Sequence, residues 1–187
     1  MQNRRAPGVL LVAAAFAAAL GYGIWLFNFG PYAAVRAAVP DRPLPEERFG
    51  YTGGDLYTFL DGYEKGLDQA TIEAYANLQL FDTLNGVLLA LALALFIWAL
   101  AARLFRSGIP TLLLLLPLAM GAFDLLENFL IISVIRDLPM RYYGLAEGAG
   151  TATLLKMICG GLSFLSAVGL SVHAIYLRLA RRKSDES

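Results

Sequence analysis

The stretch AFDLLEN, residues 122–128, places two carboxyl groups and an amide inside an otherwise apolar run over about residues 109–135. The run is long enough to cross a bilayer as an α-helix. A charged residue at the centre of such a helix costs about 2.5–3.5 kcal/mol on insertion scales. Because positions i, i+3 and i+4 share one helical face, Asp124, Glu127 and Asn128 point the same way. That face is therefore expected to turn toward protein and away from lipid.

Composition indicates a single integral membrane domain over residues 1–187. Hydrophobic residues make up 58% of the chain, which is too many for a soluble domain of this size. The formal charge is zero, so no nucleic-acid surface is expected. One cysteine, Cys159, excludes a disulfide within the chain, and one histidine, His173, excludes a site of several imidazoles. We therefore expect no metal and no cofactor.

Four apolar runs, at about residues 8–29, 81–102, 109–135 and 151–177, are long enough to span a membrane. They predict an all-α fold: a four-helix transmembrane bundle with a helical extracytoplasmic loop between spans 1 and 2. The first run could be a signal peptide, but it exceeds the usual apolar region of about 7–15 residues. It also ends in aromatic residues that suit an interfacial belt. We favour an uncleaved anchor, and the intact mass of the mature protein would decide.

Residues 30–80 are the predicted extracytoplasmic cap, a polar and acidic connection. Its three prolines at positions 40, 43 and 45 argue against a helix there. Apolar side chains at helical spacing predict a short amphipathic helix over residues 55–64. Asp68 is the predicted N-cap of a helix that starts at Gln69 and continues without a break into the second span. Residues 136–150 are predicted to form a short loop before the fourth span.

Basic residues at the span ends predict the orientation. Four crossings place both termini on one side, and the basic residues of the span ends all fall on that side: Arg4, Arg5, Arg103, Arg106, Arg178, Arg181, Arg182 and Lys183. The positive-inside rule makes that side the cytoplasm. We expect a multi-pass protein of the bacterial inner (plasma) membrane, with the cap and residues 136–150 facing outward.

Lys156 is the predicted partner of the acidic triplet. A rise of about 1.5 Å per residue places Glu127 roughly 10–12 Å, and Lys156 roughly 7–8 Å, below the outer ends of their spans. Spans joined by a short loop are antiparallel neighbours, so the two side chains should meet. We expect an outward-facing polar pocket, and its predicted residues are Asp82, Asn85, Asp124, Glu127, Asn128, Thr153 and Lys156. The sequence leaves the catalytic residues unknown.

Two interpretations of this pocket have equal weight. A buried pair of Glu127 and Lys156 can simply fix which helix faces which. Ionisable residues within a membrane also mark binding and transport sites. The sequence alone leaves both open.

The ordered motifs resemble a widespread group of small four-span bacterial membrane proteins. The resemblance covers most of the chain from Phe49 onward, and its parts are Phe49-Gly50-Tyr51, Tyr75, Asp82, D-x-x-E-N at Asp124–Asn128 and T-x-x-K at Thr153–Lys156. It implies the four-span architecture and these pocket residues, and it implies no activity. Asn85 departs from the pattern, which would have proline there.

Three functional classes remain open, and the activity is unassigned. The favoured one is a non-catalytic bundle that binds a lipid, a small amphiphile or a membrane partner through the pocket, alone or as a homo-oligomer. The second is a proton-coupled carrier that uses Asp124 and Glu127. Four spans without a visible inverted repeat are few for a carrier unless the chain forms a dimer. An intramembrane acid/base enzyme acting on a lipid or isoprenoid is the third. The sequence offers it no serine–histidine pairing, metal-ligand spacing or phosphate-binding glycine loop. Beyond the bilayer itself, the expected partners are a lipid or amphiphile, not nucleic acid.

Overall fold

The computed structural model describes residues 7–61, 67–105 and 111–185, and this part of the chain is helical without any strand. In chain order the helices are α1 (Val9–Asn28), α2 (Pro31–Ala38), α3 (Gly53–Asp61), α4 (Gln69–Leu104), α5 (Thr111–Arg136) and α6 (Tyr143–Asp185). A 3-10 helix lies at Pro45–Glu47. Four helices are long and apolar enough to cross a membrane, namely α1, α4, α5 and α6. The predicted all-α bundle of four long apolar helices is confirmed, and the chain is a multi-pass membrane protein.

The bundle is built from three mutually packed helices and one peripheral helix. α5 packs along both α4 and α6, and α4 also contacts α6. α1 packs against α4 and α2, and of its own side chains it buries only Ala19 and Leu26. Within the described residues, α1 has no comparable packing with α5 or α6. α1 is therefore the peripheral helix of the bundle and lies against α4.

Helix α4 begins where the sequence predicts. Its N-cap is Asp68, whose Oδ1 accepts a hydrogen bond from the Thr71 amide at 2.7 Å. Such a cap satisfies one of the amide groups that the first helical turn leaves unpaired. From Gln69 the helix runs unbroken to Leu104, as predicted. Its first three turns precede the apolar span and carry the polar groups that meet the cap.

Helix α6 begins at Tyr143, earlier than the predicted start near Thr151. Residues 143–150 contain three glycines, which disfavour a helix in isolation. Here close packing overrides that preference. A Cβ atom at Gly150 would lie only 1.8 Å from the carbonyl oxygen of Tyr51, so glycine alone permits this approach. The predicted loop of residues 136–150 is in fact only residues 137–142.

The cap contains two helical segments that were not predicted from the sequence: α2, and the 3-10 helix, which begins at Pro45 despite the expectation that the prolines prevent a helix there. α2 has Gly30 as its N-cap and Pro31 in its first turn, a pattern typical of a helix start. α3 overlaps the predicted helix over residues 55–64, of which 62–64 lie outside the described residues. Its apolar side chains are buried together with residues from the start of α4, the end of α5 and the start of α6.

The cap is tied to the loop before α6 by polar contacts. Arg141 forms an ion pair with Asp61 at 2.7 Å, and the amide of Tyr142 donates to the Tyr57 hydroxyl at 2.7 Å. The guanidinium of Arg141 also lies over the Tyr57 ring, 5.4 Å from its centre. These contacts fix α3 against the start of α6 and so hold the cap over one end of the bundle.

Candidate functional site

A buried ion cluster joins α5 to α6. Lys156 Nζ lies 2.9 Å from Asp124 Oδ1 and also contacts Glu127 Oε2. The side chains are 17% exposed for Lys156, 8% for Asp124 and 0% for Glu127. The predicted pairing of Lys156 with Glu127 is confirmed, and Asp124 shares the same ammonium group. Because an unpaired buried charge is costly, the cluster restricts how these two helices can face each other.

Each carboxylate of this ion cluster has a second partner. The Thr153 hydroxyl donates to Glu127 Oε1 at 2.5 Å, and Asn128 Nδ2 donates to Asp124 Oδ2 at 3.4 Å. Thr153 and Asn128 are both buried. The D-x-x-E-N and T-x-x-K motifs thus supply a charged core together with the hydrogen-bonding side chains that orient it.

Glycine on α4 makes room for the Asp124 carboxylate. A Cβ atom at Gly86 would lie 1.9 Å from Asp124 Oδ2. One turn along, a Cβ at Gly121 of α5 would lie 2.8 Å from the Cβ of Ala90. Small residues of this kind allow membrane helices to approach closely. The sequence analysis did not identify this contact, although the four-residue spacing of Gly86 and Ala90 would have been a signal for it.

A cavity of about 350 Å³ lies beside the ion cluster, where residues of α4, α5 and α6 meet residues of α1, α2 and the 3-10 helix. We call it the acidic cavity. Its polar wall consists of Glu46, Glu47, Asp82, Asn85, Asp124 and Lys156. Its apolar wall includes Phe27, Leu78, Leu89, Met120 and Met157. Side chains of α1, α4, α5, α6 and the 3-10 helix therefore meet around one space.

The seven predicted pocket residues divide into two groups. Asp82, Asn85, Asp124 and Lys156 line the acidic cavity, whereas the other three side chains are buried behind it: Glu127, Asn128 and Thr153. Asn85 Nδ2 approaches Asp82 Oδ1 at 3.4 Å. Within the described residues Asp82 forms no direct ion pair, although Lys156 is close enough to attract it. Asp82 is thus a carboxylate that faces the cavity with spare capacity to accept hydrogen bonds.

Glu46, on the 3-10 helix, was missed by the sequence analysis. Its carboxylate accepts hydrogen bonds from the Tyr75 hydroxyl at 2.7 Å and from Gln79 Nε2 at 2.9 Å. Burial raises the pKa of Glu46 to about 7, against the hydrogen bonds from Tyr75 and Gln79, which lower it. Tyr75 and Gln79, one turn apart on α4, were the local sequence signal that a polar partner lies nearby. The identity of their partner depends on the path of the cap, which periodicity does not reveal.

Tyr51 lies close to the carboxylates of Glu46 and Glu127. Its side chain is buried, and its hydroxyl makes no hydrogen bond of ordinary geometry within the described part of the chain. Burial raises the pKa of Tyr51, and the nearby carboxylates of Glu127 and Glu46 raise it further. Tyr51 therefore remains a neutral phenol that can donate one hydrogen bond at this end of the bundle.

The chemistry of the site is that of hydrogen-bond acceptors around one cation. The ammonium of Lys156 contacts Asp124 and Glu127, and three further carboxyl groups line the same cavity: Glu46, Glu47 and Asp82. Among the described residues, no serine, threonine, cysteine or histidine lines the cavity. In the described part of the chain, no group of three or more histidine, cysteine, aspartate or glutamate side chains could hold a metal ion. His173, the single histidine of the chain, is exposed on α6.

The fold and site define a multi-pass α-helical membrane protein with a charged cluster inside the bundle. Comparisons of this chain with protein-family models, with curated proteins and with solved structures give no match. A fold of this kind supports many functions, so the function must be argued from the site itself.

Proposed function

We propose that the protein is a non-catalytic membrane bundle that binds a small amphiphile in the acidic cavity. The observation that carries the proposal is the joining of a carboxylate-rich wall and an apolar wall in one space of about 350 Å³. That volume lies within the range typical of small-molecule sites, about 300–1,000 Å³. Phe27 of the peripheral helix α1 lines the same space, and the proposed entry for an apolar tail lies beside this helix.

The polar wall selects the head group. Asp82 faces the cavity without a direct ion pair in the described residues, and Glu46 receives only neutral donors. A head that carries a positive charge or donates several hydrogen bonds would satisfy these acceptors. A negatively charged head would be repelled by the same carboxylates. The proposed ligand is therefore a cationic or hydrogen-bond-donating amphiphile.

The apolar wall suits a flexible tail. Phe27 and Leu89 contribute from α1 and α4, and two methionines, Met120 and Met157, contribute from α5 and α6. Methionine side chains are unbranched and adapt to ligands of different shape. A hydrocarbon chain in the acidic cavity would pack against these apolar side chains.

The same proposal includes the location and orientation of the chain. Basic side chains at the end opposite the acidic cavity, Arg103, Arg178 and Arg181, support a cytoplasmic placement of that end and of both termini. The acidic cavity would then face outward from a bacterial inner membrane. Membership of the group that the sequence resembles is also proposed. Its support is that Asp82, Asp124 and Lys156 line this cavity and that Tyr75 donates to Glu46, which also lines it.

Binding of three dodecyl probes to the detergent-purified protein tests the ligand proposal. Native mass spectrometry would compare dodecylammonium, a neutral dodecyl polyol and dodecyl sulfate. We expect dodecylammonium to bind about tenfold more tightly than dodecyl sulfate, the ratio that corresponds to one charge-assisted hydrogen bond. Asp82→Asn should remove this preference, whereas Asp137→Asn, an exposed loop variant at the same end, should retain it. Equal binding of the three probes, or equal loss in both variants, would reject the proposal.

A proton-coupled carrier is the second candidate. The observation that favours it is the pKa of Glu46, about 7, which allows a cavity-lining group to gain and lose a proton near neutral pH. Proteoliposomes with an internal pH dye provide the test. Proton flux in the wild type that disappears in Glu46→Gln would favour the carrier, and binding of dodecylammonium without flux would favour the binding protein. The enzyme class is disfavoured because the described cavity lining contains no serine, cysteine or histidine nucleophile.

A further inference from the structure

A second cavity, of about 390 Å³, lies between α4 and α6 at the end of the bundle opposite the acidic cavity. We call it the basic cleft. Three arginines line its mouth, Arg103 from α4 and Arg178 and Arg181 from α6. Phe96, Leu100 and Ile175 are among its apolar lining residues. Its charge is thus opposite in sign to that of the acidic cavity.

The three arginines have no carboxylate partner in the described part of the chain. None of Arg103, Arg178 and Arg181 appears in an ion pair there, and all three side chains are exposed. Arg178 and Arg181 are three residues apart, so they share one face of α6. Arginine presents a planar fork of donors that matches the oxygens of a phosphate group. Among the described residues, the cleft therefore has the donors for a phosphate and no carboxylate paired with them.

The order of residues along α4 matches the order of groups in a phospholipid. Leu100 and Phe96 lie one and two turns deeper in the apolar span than Arg103. A ligand seated there would place its charged group among the arginines and its hydrocarbon against the deeper side chains. Basic clefts between transmembrane helices bind anionic lipid head groups in this way.

We propose that the basic cleft binds an anionic phospholipid. The phosphodiester group would lie among Arg103, Arg178 and Arg181, with one acyl chain along Phe96, Leu100 and Ile175. This inference concerns a different cavity and a ligand of the opposite charge, and it does not depend on the amphiphile proposed for the acidic cavity.

Lipid binding to the purified full-length protein, followed by native mass spectrometry, tests this site. The probes are phosphatidylglycerol, phosphatidylcholine with the same acyl chains, and inorganic phosphate. We expect the wild type to prefer phosphatidylglycerol over phosphatidylcholine by about tenfold or more, because each basic residue near the head adds attraction. The triple variant Arg103→Gln, Arg178→Gln, Arg181→Gln should lose that preference, and Arg136→Gln at the opposite end should retain it.

A cavity-filling variant separates a built site from general surface attraction. Ala174→Phe occupies the lining of the cleft and leaves all three arginines in place. We expect it to lose the preference for phosphatidylglycerol while the melting temperature without lipid stays close to that of the wild type. It also keeps the test decisive if the triple arginine variant does not fold. Undiminished preference in Ala174→Phe, or competition by millimolar inorganic phosphate alone, would overturn the lipid assignment.

Discussion

The acidic cavity and the basic cleft lie at opposite ends of one bundle, and they differ in whether their charged side chains have partners within the chain. In the acidic cavity, Asp124 and Glu127 share Lys156, so much of the charge is balanced by the chain itself. In the basic cleft, the arginines have no carboxylate partner within the described residues. One end of the molecule is covered by the cap, and the other presents its cations at a cleft between two helices.

This difference separates charges that stabilise the fold from charges that have no carboxylate partner in the described part of the chain. A buried group without its partner destabilises the folded state by several kcal/mol, whereas an exposed arginine contributes little to stability. Removal of an ion from each end should therefore give unequal losses of stability. Three sets of variants test and refine the comparison.

The largest effect is expected from Lys156→Met. The substitution leaves the carboxyl groups of Asp124 and Glu127 buried without their cation, a change that costs about 3–5 kcal/mol in comparable buried pairs. Arg178→Gln in the basic cleft should change stability by less than about 0.5 kcal/mol, as is usual for a surface position. Thermal unfolding in a mild detergent measures both.

Neutralising the acids provides the control for Lys156→Met. In a Lys156→Met background, Asp124→Asn together with Glu127→Gln removes the unpaired charges and should recover a large part of the lost stability. If Lys156→Met unfolds no earlier than Arg178→Gln, the ion cluster does not hold the bundle together, and the proposed contrast between the two ends is wrong.

The ion cluster is also the part of the site that the sequence predicts best. Helical spacing puts Asp124, Glu127 and Asn128 on one face, and the cost of charge in a membrane turns that face inward. Depth along antiparallel helices then selects Lys156 as the partner. These steps need only regular helix geometry, so they were available before any coordinates.

The remaining parts of the site depend on irregular backbone. Glu46 reaches Tyr75 and Gln79 from a 3-10 turn, and no periodicity fixes where such a turn lies. The early start of α6 depends on Gly150 fitting against the Tyr51 carbonyl, and local helix preference opposes it. Contacts between segments of this kind, distant in sequence, cannot be derived from either segment alone.

The second set of variants tests how closely the acidic end is packed. Gly86→Ala places a Cβ 1.9 Å from Asp124 Oδ2, so either the carboxylate or α4 must move. Overpacking of this kind costs about 1–3 kcal/mol. The matched control is Gly169→Ala on α6, where a Cβ meets no atom within 4 Å. In a helix that change should be neutral or stabilising by about 0.5–1 kcal/mol.

Binding of the dodecylammonium and phosphatidylglycerol probes to the Gly86→Ala variant tests whether this close packing also shapes the acidic cavity. We expect Gly86→Ala to weaken dodecylammonium binding at the acidic cavity and to leave phosphatidylglycerol binding at the basic cleft unchanged. If both variants are equally stable, Asp124 is free to move, and the close approach of α4 and α5 does not restrain the ion cluster.

The smallest effect is expected from the titration of Glu46. Its pKa in the folded protein is about 7, above the ordinary value of 4.5. The folded state therefore holds the proton more tightly than the unfolded state. The stability that protonation provides is fully present below about pH 4.5 and is lost as the pH rises toward 7. At 1.36 kcal/mol per pKa unit, reduced for partial exposure of the side chain, the loss is about 1–2 kcal/mol.

Glu46→Gln isolates the contribution of Glu46 titration to stability, because the amide can still form hydrogen bonds with Tyr75 and Gln79 but cannot ionise. Unfolding free energies of wild type and variant, measured from pH 4.5 to 8, should diverge in favour of the variant as the pH rises. Arg178→Gln removes a charge that does not titrate in this range, so its difference from the wild type should stay constant. A constant difference for Glu46→Gln as well would mean that the pKa of Glu46 in the folded protein is not raised above its ordinary value. The carrier alternative would then lose the observation that favours it.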